Sequence, residues 1–199
     1  PNKKLMLPGR IAELDGFPNT PAVLISDSGK IDDEWRLVKI AENGTLPIGI
    51  ELEHPECSAI VDENKVYMFC RNDYSSVPLV YISEDACESW KLYANDIPFS
   101  ASKIYSGTLS DGRNYVIGNL LPDREKLAIF FSEKGEMRFN KGFLLADKKS
   151  FMDYNGRQWS YPVAYESDGK LYVIYTAAID LYGQESRGAV VSVINIDKV

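Results

Sequence analysis

Apolar residues in this chain come in short runs broken by Gly, Asp, Asn, Ser and Pro, and nowhere keep the longer period of an amphipathic helix. No segment sustains that helical period between caps, so almost no helix is predicted. The runs read instead as strands. Four fall at 58–61, 66–71, 79–82 and 90–93, and four more at 104–109, 114–118, 127–132 and 142–145. A last group of three covers 161–166, 171–177 and 189–196. Before them, a Pro- and Gly-rich opening leads into apolar stretches at 22–25 and 35–40. The strands group into units of about 1–50, 56–96, 104–145 and 159–197. No low-complexity linker divides them, so residues 1–199 are expected to form one array.

The turns repeat as well as the strands. Ser83-Glu84-Asp85-Ala86-Cys87-Glu88-Ser89-Trp90 matches a hairpin pattern, Ser-x-Asp-x-Gly-x-Ser/Thr-Trp, with Cys87 where Gly is usual. In such a turn the Ser and Asp side chains bond back to local amides while the Trp packs beneath. Looser copies run from Ser132 through Gly135 to Phe139, and from Ser26-Asp27-Ser28-Gly29 to Trp35. A second series, Lys65-Val66-Tyr67-Met68, Arg113-Asn114-Tyr115-Val116 and Lys170-Leu171-Tyr172-Val173, follows acidic turns. Both series share a period of about 50 residues, the mark of an array of four-stranded sheets, that is, propeller blades. The competing reading is a β-sandwich with coincidental turns. The expected fold class is all-β, a propeller with about four four-stranded blades in this chain. The final unit supplies three strands, so the chain reads as part of a longer propeller whose other blades lie outside it.

Composition narrows the partners. A net charge of −7 speaks against a nucleic-acid partner. No apolar run is long enough to span a membrane. Twelve tyrosines suit both strands and a sugar-binding surface. Three cysteines make no disulfide framework. A hairpin turning at Glu63-Asn64 nevertheless sets Cys57 opposite Cys70, as a bridge or as two buried thiols. The single His and the scattered carboxylates give no metal-ligand cluster, no Gly-rich phosphate loop is present, and Ser-His-Asp catalysis would depend on His54, which has no nucleophile motif around it. No cofactor is expected.

The order of motifs over residues 50–199 resembles the later part of the sialidase (neuraminidase) superfamily, a six-bladed propeller with Asp-box hairpins. His54-Pro55-Glu56-Cys57-Ser58, followed by Tyr67-Met68-Phe69-Cys70-Arg71, is similar to that family's Glu strand and the Arg strand after it. Asn119-Leu120-Leu121-Pro122-Asp123-Arg124 resembles a loop carrying a second substrate Arg. Trp159-Ser160-Tyr161-Pro162 resembles the strand with the catalytic Tyr. The resemblance implies a glycoside hydrolase that releases terminal sialic or related acidic sugars, acting outside the cell or in the periplasm. Tyr161 would be its nucleophile and Glu56 the base activating it, with Arg71 and Arg124 binding the sugar carboxylate. The chemistry is coherent, because a carboxylate on the anomeric carbon repels an anionic nucleophile, and sialidases use Tyr instead. A phenol needs a neighbouring base, and planar guanidinium groups pair bidentately with carboxylates. The family's first Arg and its acid/base Asp have no counterpart here. Arg10 is the one early candidate, and its context does not match.

Plainer readings stand beside these. The hairpin register that pairs the cysteines also pairs Glu56 with Arg71, which could be an ordinary cross-strand ion pair. Arg124 lies in a polar loop where arginines are usually solvated, and Tyr161 could be packed aromatic surface. The rival functions are a non-catalytic carbohydrate-binding propeller, a hydrolase or lyase acting on another acidic sugar, and a protein-interaction propeller.

Overall fold

The computed structural model describes residues 4–12, 19–41, 52, 54–73, 77–147, 158–181 and 184–199. Fourteen strands follow one another in them, and the sole helical element is a 3-10 turn at Ile196–Lys198. Strands β1 (Leu5–Ile11), β2 (Thr20–Ser26) and β3 (Arg36–Lys39) form one sheet. The second contains β4 (Cys57–Asp62), β5 (Lys65–Cys70), β6 (Leu79–Ser83) and β7 (Lys91–Leu92). The third contains β8 (Tyr105–Thr108), β9 (Asn114–Asn119), β10 (Lys126–Ser132) and β11 (Phe139–Asp147). The last contains β12 (Gln158–Ser167), β13 (Lys170–Leu181) and β14 (Gln184–Asn195). Every neighbouring pair is antiparallel and consecutive in sequence. This meander is the sheet that the repeat predicts for a propeller blade. The described strands number three, four, four and three per sheet, so the first and last fall one short of a four-stranded blade.

The chain divides into two compact units, Pro1–Asn95 and Asp96–Val199. In the first, Val23, Ile25, Val66, Met68, Cys70 and Tyr81 belong to one buried core. In the second, Ile117, Leu127, Ile129, Phe131, Trp159, Leu171 and Val173 do the same. The middle strands explain why alternation is weak in the sequence. Val66 through Cys70 of β5 and all of β9 are buried, because each strand is covered on both faces. Outer strand β3 alternates between half-buried and exposed residues.

The repeated turns share one backbone conformation. Gly29, Cys87 and Gly135 have φ of 73°, 73° and 74°. Cys87 thus holds a conformation that suits glycine, next to Ala86 at φ 59°. In the best copy, Ser83 Oγ accepts the Cys87 N–H at 2.9 Å and donates to Asp85 Oδ1 at 2.8 Å. The amides of Glu88 and Ser89 donate to the same Oδ1 at 3.1 and 2.9 Å. These bonds pull the Asp85 carboxyl down to a pKa of about 2, with the Ser89 hydroxyl the largest cause. Trp90 packs against the first unit's core. No described helix is long and apolar enough to cross a membrane.

The β4–β5 hairpin turns where expected, pairing Asp62 with Lys65 and Cys57 with Cys70. Glu63 takes the left-handed conformation that a two-residue turn requires. Both cysteines are free thiols, with Sγ atoms 3.0 Å apart.

Candidate functional site

At the end of its sheet opposite the Ser83–Trp90 turn, β4 begins and β5 finishes. The ladder runs one pair beyond Cys57 and Cys70, since the Arg71 N–H donates to the Glu56 carbonyl at 3.0 Å. That register brings Glu56 Oε2 within 3.0 Å of Arg71 Nη1. Asp73 takes the other side of the guanidinium, with Nε donating to Oδ1 at 2.8 Å and Nη2 to Oδ2 at 3.1 Å. His54 Nδ1 lies 2.7 Å from the same Oδ2. Arg71 is well covered, its side chain 13% exposed. Burial pulls its pKa down, yet the bonds to Asp73 and then Glu56 together carry it above its ordinary value.

The cross-strand ion pair is therefore real, and Asp73 enlarges it into a network. Among the described residues, three of the five guanidinium N–H donors find partners. Asp73 was not among the expected site residues. An acidic residue two positions beyond an Arg is too common a pattern to stand out.

In the second unit, the 120–125 loop joins β9 to β10 and is fastened to the start of β12. The Trp159 N–H donates to the Arg124 carbonyl at 3.0 Å, and its indole Nε1 donates to the Glu125 carbonyl at 3.0 Å. Asn119 Nδ2 donates to the Trp159 carbonyl at 2.8 Å, while Asn119 Oδ1 accepts from Ser102 Oγ at 2.9 Å. The Leu121–Pro122 peptide within this loop is cis. Trp159 is 2% exposed and meets Tyr175 edge to face. The loop backbone that carries Arg124 is thus bonded to the strand that carries Tyr161.

Tyr161 sits in a bulge. Ser160 pairs with Thr176 and Val163 with Ile174, so Tyr161 and Pro162 together face the single residue Tyr175. Pro162 has no N–H to add to the ladder, which suits the break. The bulge sets Tyr161 at φ 54° and leaves it 44% exposed. Lys103 Nζ lies 5.7 Å from its ring centroid, within cation–π range. Lys103 comes from the irregular segment before β8, and nothing in the sequence ties it to Tyr161.

Of the four expected residues, Glu56 pairs with Arg71 in one unit, while in the other the Arg124 backbone is bonded to the strand that carries Tyr161. Among the described residues, no group of three or more His, Cys, Asp or Glu could hold a metal ion.

A family model for a BNR repeat-like domain matches residues 1–173. The chain belongs to that family. Its repeated turns and blade-like sheets accord with a repeat family. An intramolecular trans-sialidase from Ruminococcus gnavus superposes with a TM-score of 0.65 at 17% identity, over 98% of this chain and 41% of that one. A Trypanosoma rangeli sialidase mutant with trans-sialidase activity gives 0.65 at 17% identity, over 99% of this chain and 30% of that one. An ulvan lyase of a polysaccharide lyase family gives 0.65 at 11% identity, over 100% of this chain and 50% of that one. At these identities the likeness is one of fold, and that fold is the sialidase-type β-propeller. The chain spans half or less of the length of each of these three proteins. No curated protein matches it.

Proposed function

We propose that this chain is the part of a sialidase-like glycoside hydrolase that holds the nucleophile and carboxylate-binding residues for a terminal acidic sugar. The observation that carries this reading is Tyr161. It is an exposed phenol on a left-handed residue, held in a bulge beside a lysine and tied through Trp159 to the loop of Arg124. A neutral nucleophile beside a cation suits a sugar whose anomeric carbon bears a carboxylate. In this reading Tyr161 attacks that carbon, Glu56 takes the phenol proton, and Arg124 with the remaining Arg71 donors binds the carboxylate.

The test is turnover of an aryl sialoside by the full-length protein, with trapping by a fluorinated sialic acid. Tyr161→Phe is expected to lower kcat by at least about 100-fold, and the trapped adduct should map to Tyr161. Undiminished turnover by Tyr161→Phe refutes the reading.

The occupied fork of Arg71 favours a second reading, a hydrolase or lyase acting on another acidic sugar. With Asp73 across Nε and Nη2, this Arg has less to offer a carboxylate that must be gripped bidentately. The fold likeness to a polysaccharide lyase points the same way. Formation of an unsaturated uronate from an acidic polysaccharide, seen by ultraviolet absorbance, separates this reading from the first.

A further inference from the structure

Two cysteine side chains meet across the β4–β5 hairpin of the first unit. Cys57 and Cys70 stand directly opposite each other, and their Sγ atoms are 3.0 Å apart. The ladder decides which kind of pair they form. The Arg71 N–H donates to the Glu56 carbonyl, so Glu56 and Arg71 are a hydrogen-bonded pair. Hydrogen-bonded and non-hydrogen-bonded pairs alternate along an antiparallel ladder, which makes Cys57 and Cys70 the closer, non-hydrogen-bonded kind. Such a pair sets its Cα atoms about 4.5 Å apart. A disulfide spans Cα separations of about 4.4–6.8 Å, so the ladder already supplies a spacing that a bridge accepts.

Cys87 gives the contrast. It too is buried, but its Sγ meets the thioether of Met6 at 3.6 Å. A cysteine kept only as a small hydrophobe needs no second thiol opposite it. The two sulfurs of the pair also differ in access. Cys57 is half-buried, and its thiol donates to the Pro55 carbonyl at 3.1 Å. Cys70 is fully buried in the first unit's core. A reagent from solvent therefore reaches Cys57 and not Cys70. Burial, then the contact with Cys57, raises the Cys70 thiol well above its ordinary value. Such a thiol leaves slowly, so a reductant attacking a bridge at Cys57 expels Cys70 with difficulty.

We propose that Cys57 and Cys70 form a disulfide across β4 and β5, made by exchange with a small disulfide and shielded from reductants in the folded chain. With oxidised glutathione, the Cys57 thiolate bonds to one sulfur and one glutathione leaves with the bonding pair. The Cys70 thiolate then bonds to Cys57 Sγ, and the second glutathione leaves likewise. The two protons lost by the cysteines end on the two glutathiones, and two electrons pass from protein to oxidant. Exchange is completed as the hairpin closes during folding, before Cys70 is covered. The bridge lies one ladder step from Glu56 and Arg71, so it clamps the strand ends that hold this ion pair. It does not depend on the reaction proposed above.

The experiment refolds the full-length protein from urea in reduced and oxidised glutathione, blocks remaining thiols with iodoacetamide, and maps peptides without reduction. A Cys57–Cys70 peptide lacking two hydrogens is expected. Recovery of both residues as blocked thiols, as glutathione adducts or in bridges to Cys87 overturns the proposal. Dithiothreitol should reduce the bridge at least about 100-fold more slowly in native protein than in urea, and equal rates overturn the shielding. Bridged wild type should have a urea midpoint about 1 M above that of reduced wild type. Cys57→Ala should show the same midpoint in both buffers. A shift of equal size in that variant, or none in wild type, overturns the clamping role, and the peptide map of wild type needs no variant to fold.

Discussion

Cys87 stands at a position that its two sister turns fill with glycine, and all three share the same left-handed backbone. The sign of a substitution there should reverse the usual rule. An L side chain in that region costs about 1–2 kcal/mol, and glycine avoids the cost. Glycine in turn loses roughly 0.5–1 kcal/mol against alanine through its greater freedom when unfolded. Cys87→Gly and Cys87→Ala both delete the buried sulfur and its 3.6 Å contact with Met6 Sδ, so those losses cancel between them. The Gly variant should therefore be more stable than the Ala variant by about 0.5–1 kcal/mol. Urea denaturation followed by the fluorescence of Trp90, in the same turn, measures the difference. Ala59, in β4 and without a positive φ, is the control, since Ala59→Gly should destabilise by about 0.5–1 kcal/mol. An Ala variant at position 87 that equals or exceeds the Gly variant in stability would refute the argument from shared turn geometry.

Three other outcomes follow from the described contacts. Trp159→Phe removes the indole bond to the Glu125 carbonyl and part of a fully buried ring, and should cost about 2–3 kcal/mol in denaturant unfolding; a cost under about 1 kcal/mol contradicts the anchoring role. The Asp85 carboxyl is depressed from 3.8 to about 2, so the unfolded chain takes up that proton first. Its stabilising contribution is complete above the ordinary value and lost as pH falls towards 2, and Asp85→Asn should make the acid limb of a stability–pH curve shallower. Burial pushes the Cys87 thiol up to about 11, and burial followed by the neighbouring Cys57 raises that of Cys70. Iodoacetamide at neutral pH should thus spare Cys70 and Cys87 in the folded protein, and rapid native-state labelling of either, seen by peptide mass, would count against that burial.

The strands and their order were legible because blade hairpins are local. Two-residue turns such as Glu63-Asn64 fix the register by counting, which is why the pairs Cys57–Cys70 and Glu56–Arg71 follow from sequence alone. Serine, aspartate and an aromatic at fixed offsets reported the outer turns for the same reason. Asp73 and Lys103 were not legible. Each reaches its partner from an irregular segment, and no spacing rule links position 103 to a bulge at 161. The bulge itself had a faint signal in Pro162, which cannot join a ladder. The Arg71 fork closed by Asp73 was likewise beyond pattern reading, because it depends on the path of the chain just after β5 ends.

Backbone strain separates frame from chemistry in this molecule. Six non-glycine residues among those described have positive φ: His54, Glu63, Ala86, Cys87, Tyr161 and Asp168. Four of them lie in tight turns between consecutive strands, where the turn itself demands the left-handed region. Hairpin geometry therefore accounts for Glu63, Ala86, Cys87 and Asp168. It does not account for His54, just before β4, or for Tyr161, within the opening residues of β12. Both precede a proline, both expose a side chain able to move a proton, and each is held by contacts beyond its own strand or turn. Strain that the fold does not require persists only where the surroundings impose it. The surroundings here are Asp73 in one unit, and in the other the bulge with Lys103 and the loop of Arg124. The proposed function therefore rests on Tyr161, one of the two residues whose conformations the repeat leaves unexplained.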